Sequence, residues 1–329
     1  MVELIKNISE INAISGNEAS IRKYIIEHCS NARVDTMGNI SVFKKGKSSQ
    51  KKLMIATHID ECGLIVTNIT EKGFIKFECV GDVELRSLIS KKVIVADNVK
   101  GIIGMKAIHL QKKEERETVK KAKDLFIDIG AKDKKDAQKY VKKGDYISFA
   151  TEFSTIGKRV KGKALDRIGA AIMLKLLDVE PQYDTYFVFT VQKEVEMRGA
   201  VVCASKINPD FAIVIDTIES ADMFGCNDMQ IQAKLGNGTV IQYSDKKSIQ
   251  NRELTQCIAK KAEENKIPIQ KSAAIKSIGN SGEIITSYGG IKTATVAVPV
   301  RYTHTPIQIA DLNDVESTYR LIMLLLQNL

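Results

Sequence analysis

The sequence predicts an α/β fold with a β-rich segment inserted into it, on three observations. Short runs of β-branched and aromatic residues, of which 185–191 (TYFVFTV) is the clearest, read as strands buried on both faces. After about residue 162 such strands alternate with helical patterns to the end, as in an α/β domain. Between them six strand-like runs come in quick succession: LIVTNI, FIKFECV, KKVIVAD, GIIGMKAI, LFIDI and YISFA. That spacing is typical of a small β-barrel or sandwich. A chain of 329 residues exceeds a comfortable single core. The expected division is therefore an α/β domain from residues 1–65 and 162–329, with 66–161 as the insert.

The N-terminal segment reads helix, turn, helix. Leu4, Ile5, Ile8 and Ile11 recur at helical spacing, Ser15-Gly16-Asn17 breaks the pattern, and a second helix reaches about Cys29. Strands at 32–35 and 40–44 flank a Gly38-Asn39 turn, and 53–57 (LMIAT) runs into His58. One charged helix, 132–141, is expected inside the insert. Beyond it helices are expected at 168–177, 198–206 and 252–265, and strands at 211–215, 239–243 and 269–274. A turn at 279–282 leads into a further helix. The last helix starts near Asn313, with Glu316 completing a capping box.

The apolar share of 44% and charged share of 27% are those of a soluble globular protein. The net charge of +9 comes from lysines spread along the chain, with 6% aromatics and no nucleic-acid-binding motif. A solvated basic surface is the expectation, without a nucleic-acid partner. No run of about 18 apolar residues offers a membrane span, and residues 1–14 lack the apolar core of a signal peptide. The six cysteines show no CxxC spacing and read as reduced, buried thiols of a cytoplasmic protein. Cys62 lies nearest the candidate site described next, with packing as its expected role. The Gly-rich turn at 279–282 lacks the Lys-Ser/Thr of a phosphate loop. Glycoside hydrolysis through two carboxylates ranks last, since a chain without Trp has little for sugar stacking.

Ligand sites in open α/β sheets lie beyond the carboxyl ends of the strands. Five apolar runs here end in metal-ligand residue types: His58, Asp166, Glu194, Asp216 and His304. A mixture of two imidazoles and three carboxylates suits zinc, cobalt or manganese. One carboxylate shared between two ions would complete a dinuclear site, which activates water for hydrolysis.

These residues, together with THIDECGLIV at 57–66, GKALDRIGAA at 162–171, VQKEVEMRGA at 191–200 and RYTHTPIQIADLNDVE at 301–316, resemble the tetrahedral, or glutamyl-aminopeptidase-like, dinuclear metalloaminopeptidases. Some members of that family carry an endoglucanase label. The resemblance covers nearly the whole chain. It implies a three-layer α/β/α metallopeptidase domain with an inserted PDZ-like β-barrel that forms dimer contacts and part of the substrate cavity. It implies two divalent ions, zinc or cobalt, on His58, Asp166 and Asp216 and on Asp166, Glu194 and His304, with Asp166 bridging. Asp60 matches the carboxylate that orients the His58 ring. Peptide substrates and a homo-oligomer, in the extreme a dodecamer built from dimers, follow from the same likeness. The chain departs from the family where Lys193 replaces the general-base Glu and where Asp166 stands alone before Arg167. It departs again at 277–282 (SIGNSG), where the family tends to have Gly-Gly-Thr-Asp-Ala-Gly. A protonated lysine has no acceptor for a proton. Glu196 is the spare carboxylate of that loop, though two extended residues set it about 7 Å further on. An active aminopeptidase and a catalytically impaired peptide-binding or shell subunit are both expectations of this sequence.

Overall fold

The computed structural model describes residues 1–227, 231–273 and 281–329. It opens with helices α1 (Val2–Glu10) and α2 (Ala19–Glu27), then strands β1 (Arg33–Val34), β2 (Ile40–Lys44) and β3 (Ser48–His58). Six strands follow that close on themselves: β4 (Gly63–Ile69), β5 (Ile75–Val80), β6 (Lys92–Val95), β7 (Val99–Met105), β8 (Leu125–Asp128) and β9 (Tyr146–Phe149). Short helices α3 (Lys113–Glu117) and α4 (Lys134–Ala137) lie between them. The chain returns through β10 (Ser154–Ile156) and β11 (Arg159–Gly162) to α5 (Ile168–Leu176), β12 (Tyr183–Thr190), α6 (Arg198–Ile207) and β13 (Phe211–Glu219). Then come β14 (Thr239–Ser244), α7 (Arg252–Glu264) and β15 (Ile269–Ala273). The chain ends with α8 (Ser281–Ile285), β16 (Lys292–Arg301), β17 (Gln308–Asp311) and α9 (Leu312–Asn328).

The large sheet runs β1-β2-β12-β3-β13-β16-β17-β11-β10, with β14 and β15 branching from β16. Its centre, β12-β3-β13-β16, is parallel. These four strands therefore end on the same side, which gathers whatever follows them. Alternation along β3 explains why the centre is apolar on both faces. Leu53 and Ile55 join a core with α1, α2, α5, α7 and α9, while Met54 and Ala56 meet Ala200, Cys203 and Ala204 of α6 and Ile284 of α8 on the other face. The barrel, in the order β4-β5-β8-β7-β6-β9, encloses its own core around Phe77, Val93, Ile103, Leu125, Ile127 and Ile147.

Several elements differ from the sequence expectation, each for a tertiary reason. The charged helix expected at 132–141 is the single turn α4, capped by Asp133. Strands β10 and β11, inside the segment expected as the insert, pair with each other and onto β17 of the large sheet. The barrel strands end at Phe149. The run ahead of Asp166 is not a strand up to Leu165: β11 ends at Gly162, and a 3-10 turn, Leu165–Arg167, carries the aspartate. Helix α9 is capped by the Asp311 carboxylate, which accepts from Asn313 N, one turn-start earlier than the expected capping box. Residues 279–280 of the turn expected at 279–282 lie outside the described residues, while 281–282 begin α8; most of the 277–282 departure also lies outside them.

Candidate metal centre

His58 is the last residue of β3 and stands in register with Thr190, the last of β12. The chain beyond Thr190 reverses sharply into α6, with Gln192, Glu196 and Met197 all at positive φ. Gly199 closes this reversal, because a Cβ there would lie 2.4 Å from Val191 O. Asp60 holds the loop open end. Its two carboxylate oxygens accept from Lys193 N at 2.9 Å and Glu194 N at 3.0 Å, and Ser15 Oγ donates to the same group.

Asp216 lies within β13, not beyond it as expected, because β13 keeps pairing with β16 as far as Glu219↔Val300. Its Oδ1 is 3.7 Å from His58 Nε2. Asp166 enters from the turn that starts at Ala164 (φ 48), and its amide donates to Gln308 Oε1 at 3.1 Å. His304 has φ 61, and its carbonyl accepts from Glu84 N at 2.9 Å, just past the end of β5. The preceding Tyr302 and Thr303 amides donate to the Glu219 carboxylate. His304 Nδ1 is thereby set 3.9 Å from Glu194 Oε2.

The electrostatics are dominated by one cation among buried anions. Lys193 Nζ donates to Glu194 Oε1 at 2.8 Å, with both side chains nearly excluded from solvent. Burial opposes the lysine's charge, but Glu194, Asp216 and Asp166 outweigh it and hold the ammonium above its ordinary value. Burial likewise opposes the Glu194 charge, and Lys193 reverses the balance, so Glu194 is lowered. Burial raises Asp166. His58 feels burial first, and the Asp60, Asp216 and Asp166 carboxylates overcome it, pushing the ring up to about 9.

Asp60 was expected to orient the His58 ring through its carboxylate. Instead the ring Nδ1 lies 3.0 Å from the Asp60 backbone carbonyl, and the carboxylate stands at 3.8 Å, beyond hydrogen-bond reach. The carboxylate also accepts from the 193–194 amides, and its proximity helps to raise the His58 ring. Glu196 is not brought to the site. It is exposed and paired with Lys247 at 2.7 Å, because the positive-φ turn throws it outward.

Among the described residues, nine buried side-chain polar atoms lack a hydrogen-bond partner, and four of them are His58 Nε2, Asp166 Oδ1, Asp216 Oδ2 and His304 Nδ1. Buried polar atoms are ordinarily paired. Each of the four is an imidazole nitrogen or a carboxylate oxygen, a donor type that a divalent cation takes, and among the described residues Cys62, Glu194 and His304 bring candidate donor atoms within 4.8 Å of one another, so the residues present fit a metal. Sequence reasoning placed Cys62 near the site but gave it only a packing role. It is buried as expected, and its Sγ also lies within 4.8 Å of both a Glu194 oxygen and a His304 nitrogen. Burial raises its thiol pKa, with Glu194 and Asp166 adding to the effect. Gly81 was missed altogether: a Cβ there would sit 2.8 Å from Glu194 Cβ and 3.2 Å from Cys62 Cβ. Its φ of +81 and that close approach leave room only for glycine.

Known proteins share the fold and the family. The structure superposes on an aminopeptidase from the archaeon Desulfurococcus kamchatkensis with a TM-score of 0.95, at 30% identity, covering 100% of this chain and 94% of that one. It superposes on the TET1 peptidase of Pyrococcus horikoshii, which can assemble into a tetrahedron or a large octahedral shell. There the TM-score is 0.89 at 31% identity, covering 100% and 99% of the two chains. The lysyl aminopeptidase of Pyrococcus furiosus is 29% identical over 99% of this chain and 97% of its own. The sequence pattern of the M42 glutamyl aminopeptidases matches residues 38–321. The chain belongs to the M42 glutamyl aminopeptidase family.

Proposed function

We propose that the protein is a metal-dependent aminopeptidase that removes N-terminal residues from peptides. One zinc or cobalt ion would be held by His58, Asp166 and Asp216 and a second by Asp166, Glu194 and His304. The reading is carried by the four unpaired, buried donor atoms, which all belong to this residue set. Bound divalent ions supply polarisation of the scissile carbonyl and activation of water. The chain's own residues do the rest. Asp60 fixes the backbone at 193–194, so that Glu194 presents one oxygen toward His304 while the other receives the Lys193 ammonium. His58 is oriented by the Asp60 carbonyl. The ammonium of Lys193 donates and cannot accept, so the loop holds no general base at that position. The barrel, an inserted PDZ-like domain in this reading, closes the pocket at Gly81 and Glu84 of the segment after β5. The α/β part is a three-layer metallopeptidase domain. The assembly is a homo-oligomer built from dimers, as large as a dodecamer, in the cytoplasm.

The Lys193–Glu194 ion pair also favours a second reading: an impaired homologue that keeps the fold as a peptide-binding or shell subunit. A general base contributes about 10²–10⁴-fold to rate. Wild-type protein loaded with zinc or cobalt is therefore expected to cleave aminoacyl-nitroanilides slowly, with the residue of activity abolished by a chelator. Lys193→Glu should gain both rate and metal affinity, since an anion replaces a cation beside divalent ions. Rates at matched metal occupancy decide the matter. A wild type faster than Lys193→Glu would make the lysine a working catalytic group. No metal-dependent turnover in either protein would leave the second reading standing.

A further inference from the structure

We propose that Cys62 is a metal ligand: with Glu194 and His304 it forms a three-residue S, O, N site for a thiophilic divalent ion such as zinc. The inference rests on the metal-dependent reading above and adds to it a residue which that reading leaves out.

The geometry is already assembled. One donor atom from each of Cys62, Glu194 and His304 lies within 4.8 Å of the other two. Zinc bonds of about 2.0–2.3 Å place tetrahedral donors roughly 3.5 Å apart, so the trio needs to close by at most about 1.3 Å per pair. Two of the three have nothing better to do with the atoms concerned. His304 Nδ1 is buried without a hydrogen-bond partner. Glu194 spends Oε1 on Lys193 and turns Oε2 toward His304.

The walls of the site hold the trio in place. Cys62 follows Glu61, whose amide and carbonyl are bonded to the Ala13 and Ser15 backbone and whose carboxylate is paired with Lys163 at 3.2 Å. Gly81 lies flat against both Cys62 Cβ and Glu194 Cβ, so these side chains share one wall. The His304 carbonyl is tied to Glu84, three residues beyond that glycine.

The Cys62 thiolate, the Glu194 carboxylate and the Asp166 carboxylate of the metal-dependent reading carry three negative charges, set against one divalent ion and the Lys193 ammonium on Glu194, while the imidazole binds neutral. Coordination forms one sulfur–metal bond and releases the thiol proton to solvent. The trio leaves one tetrahedral position for Asp166, which the metal-dependent reading assigns to the same ion as Glu194 and His304. A thiolate among the donors favours zinc over magnesium and manganese.

Cobalt(II) titration of the full-length protein tests this, because a cobalt–thiolate bond gives a near-ultraviolet charge-transfer band. The band is expected in wild type and lost in Cys62→Ser, with zinc affinity weakened by at least roughly 10-fold, the lower range for losing even an outer partner of a ligand. Zinc is also expected to protect Cys62 from alkylation by iodoacetamide, read by mass spectrometry on the wild type, which needs no variant to fold. Stoichiometric cobalt without the band, or a band that survives in Cys62→Ser, would overturn the role of Cys62. If His304→Ala and His58→Ala then lower the cobalt bound, the metal-dependent reading stands without it. Failure of wild type to bind cobalt or zinc at all would overturn both.

Discussion

Arg167 shows how much a single residue carries at this site. Its side chain is fully buried, and its guanidinium donates to the carbonyls of Ser9, Ile11 and Ile59 while lying 3.9 Å from Glu61. It joins the end of α1, the strand end that bears His58 and the turn that bears Asp166. Lys163 completes the charge group through Glu61 and Asn12, at a pKa lowered by its burial. Replacing Arg167 with Met keeps the volume but strips the carbonyls of donors and leaves Glu61 with one cation. The expected loss is about 3 kcal/mol of unfolding free energy, the scale of removing one partner from a buried ionic cluster. Urea titration checks it, and a loss below about 0.5 kcal/mol, the level of an ordinary surface substitution, would refute it. The sequence showed Asp166-Arg167 as a shortened motif. That Arg167 reaches α1, more than 150 residues upstream, follows only from packing.

At the scale of elements, the start of α9 is the clearest case of a cap serving a distant loop. Asp311 caps the helix, and Asp314 in its first turn accepts from Gly236 N and Gly238 N, both at 2.7 Å. Burial pushes the Asp314 carboxyl up to about 6, against the pull of those two amides. A carboxyl raised above its unfolded value contributes stability that is full below about pH 3.9 and is lost as pH rises through about 6. The expected loss through this group is about 2 kcal/mol between pH 4 and pH 7. Asp314→Asn should lack this part of the pH dependence even if it is less stable throughout. Denaturant titrations of both proteins at the two pH values provide the comparison, and parallel curves would contradict it. The helix was legible from its periodicity. The expected box on Asn313 and Glu316 was displaced because β17 runs directly into α9 and puts Asp311 at the cap.

For the whole molecule, the barrel and the large sheet are joined where the chemistry is. Gly81 and Glu84 reach Glu194, Cys62 and His304 from the barrel side. Among the described residues, Ile102 in β7 and Ile108, Leu110 and Val119 between β7 and β8 are exposed large apolar side chains. Exposed apolar groups concentrated in one segment mark a contact surface. In a homo-oligomer this stretch is expected to be covered. Light scattering at micromolar concentration should then give a multiple of 36.4 kDa, reduced in Leu110→Glu. A monomer mass for the wild type would refute the oligomer, and an unchanged mass in the variant would place the contact elsewhere.

Local pattern was enough to determine the classes of structure. Period-2 and helical periodicity are written in neighbouring residues, so the six barrel strands and the α/β alternation could be read directly. Tertiary structure decided which atoms face one another. Parallel pairing sets Thr190 beside His58 across more than 130 residues, and only then do the amides after Thr190 reach Asp60. The same convergence turns Glu196 out to Lys247, places the Lys193 ammonium on Glu194 and brings the Cys62 sulfur to His304. Spacing along the chain does not carry these distances, because each depends on the register and twist of strands that meet only in the folded sheet.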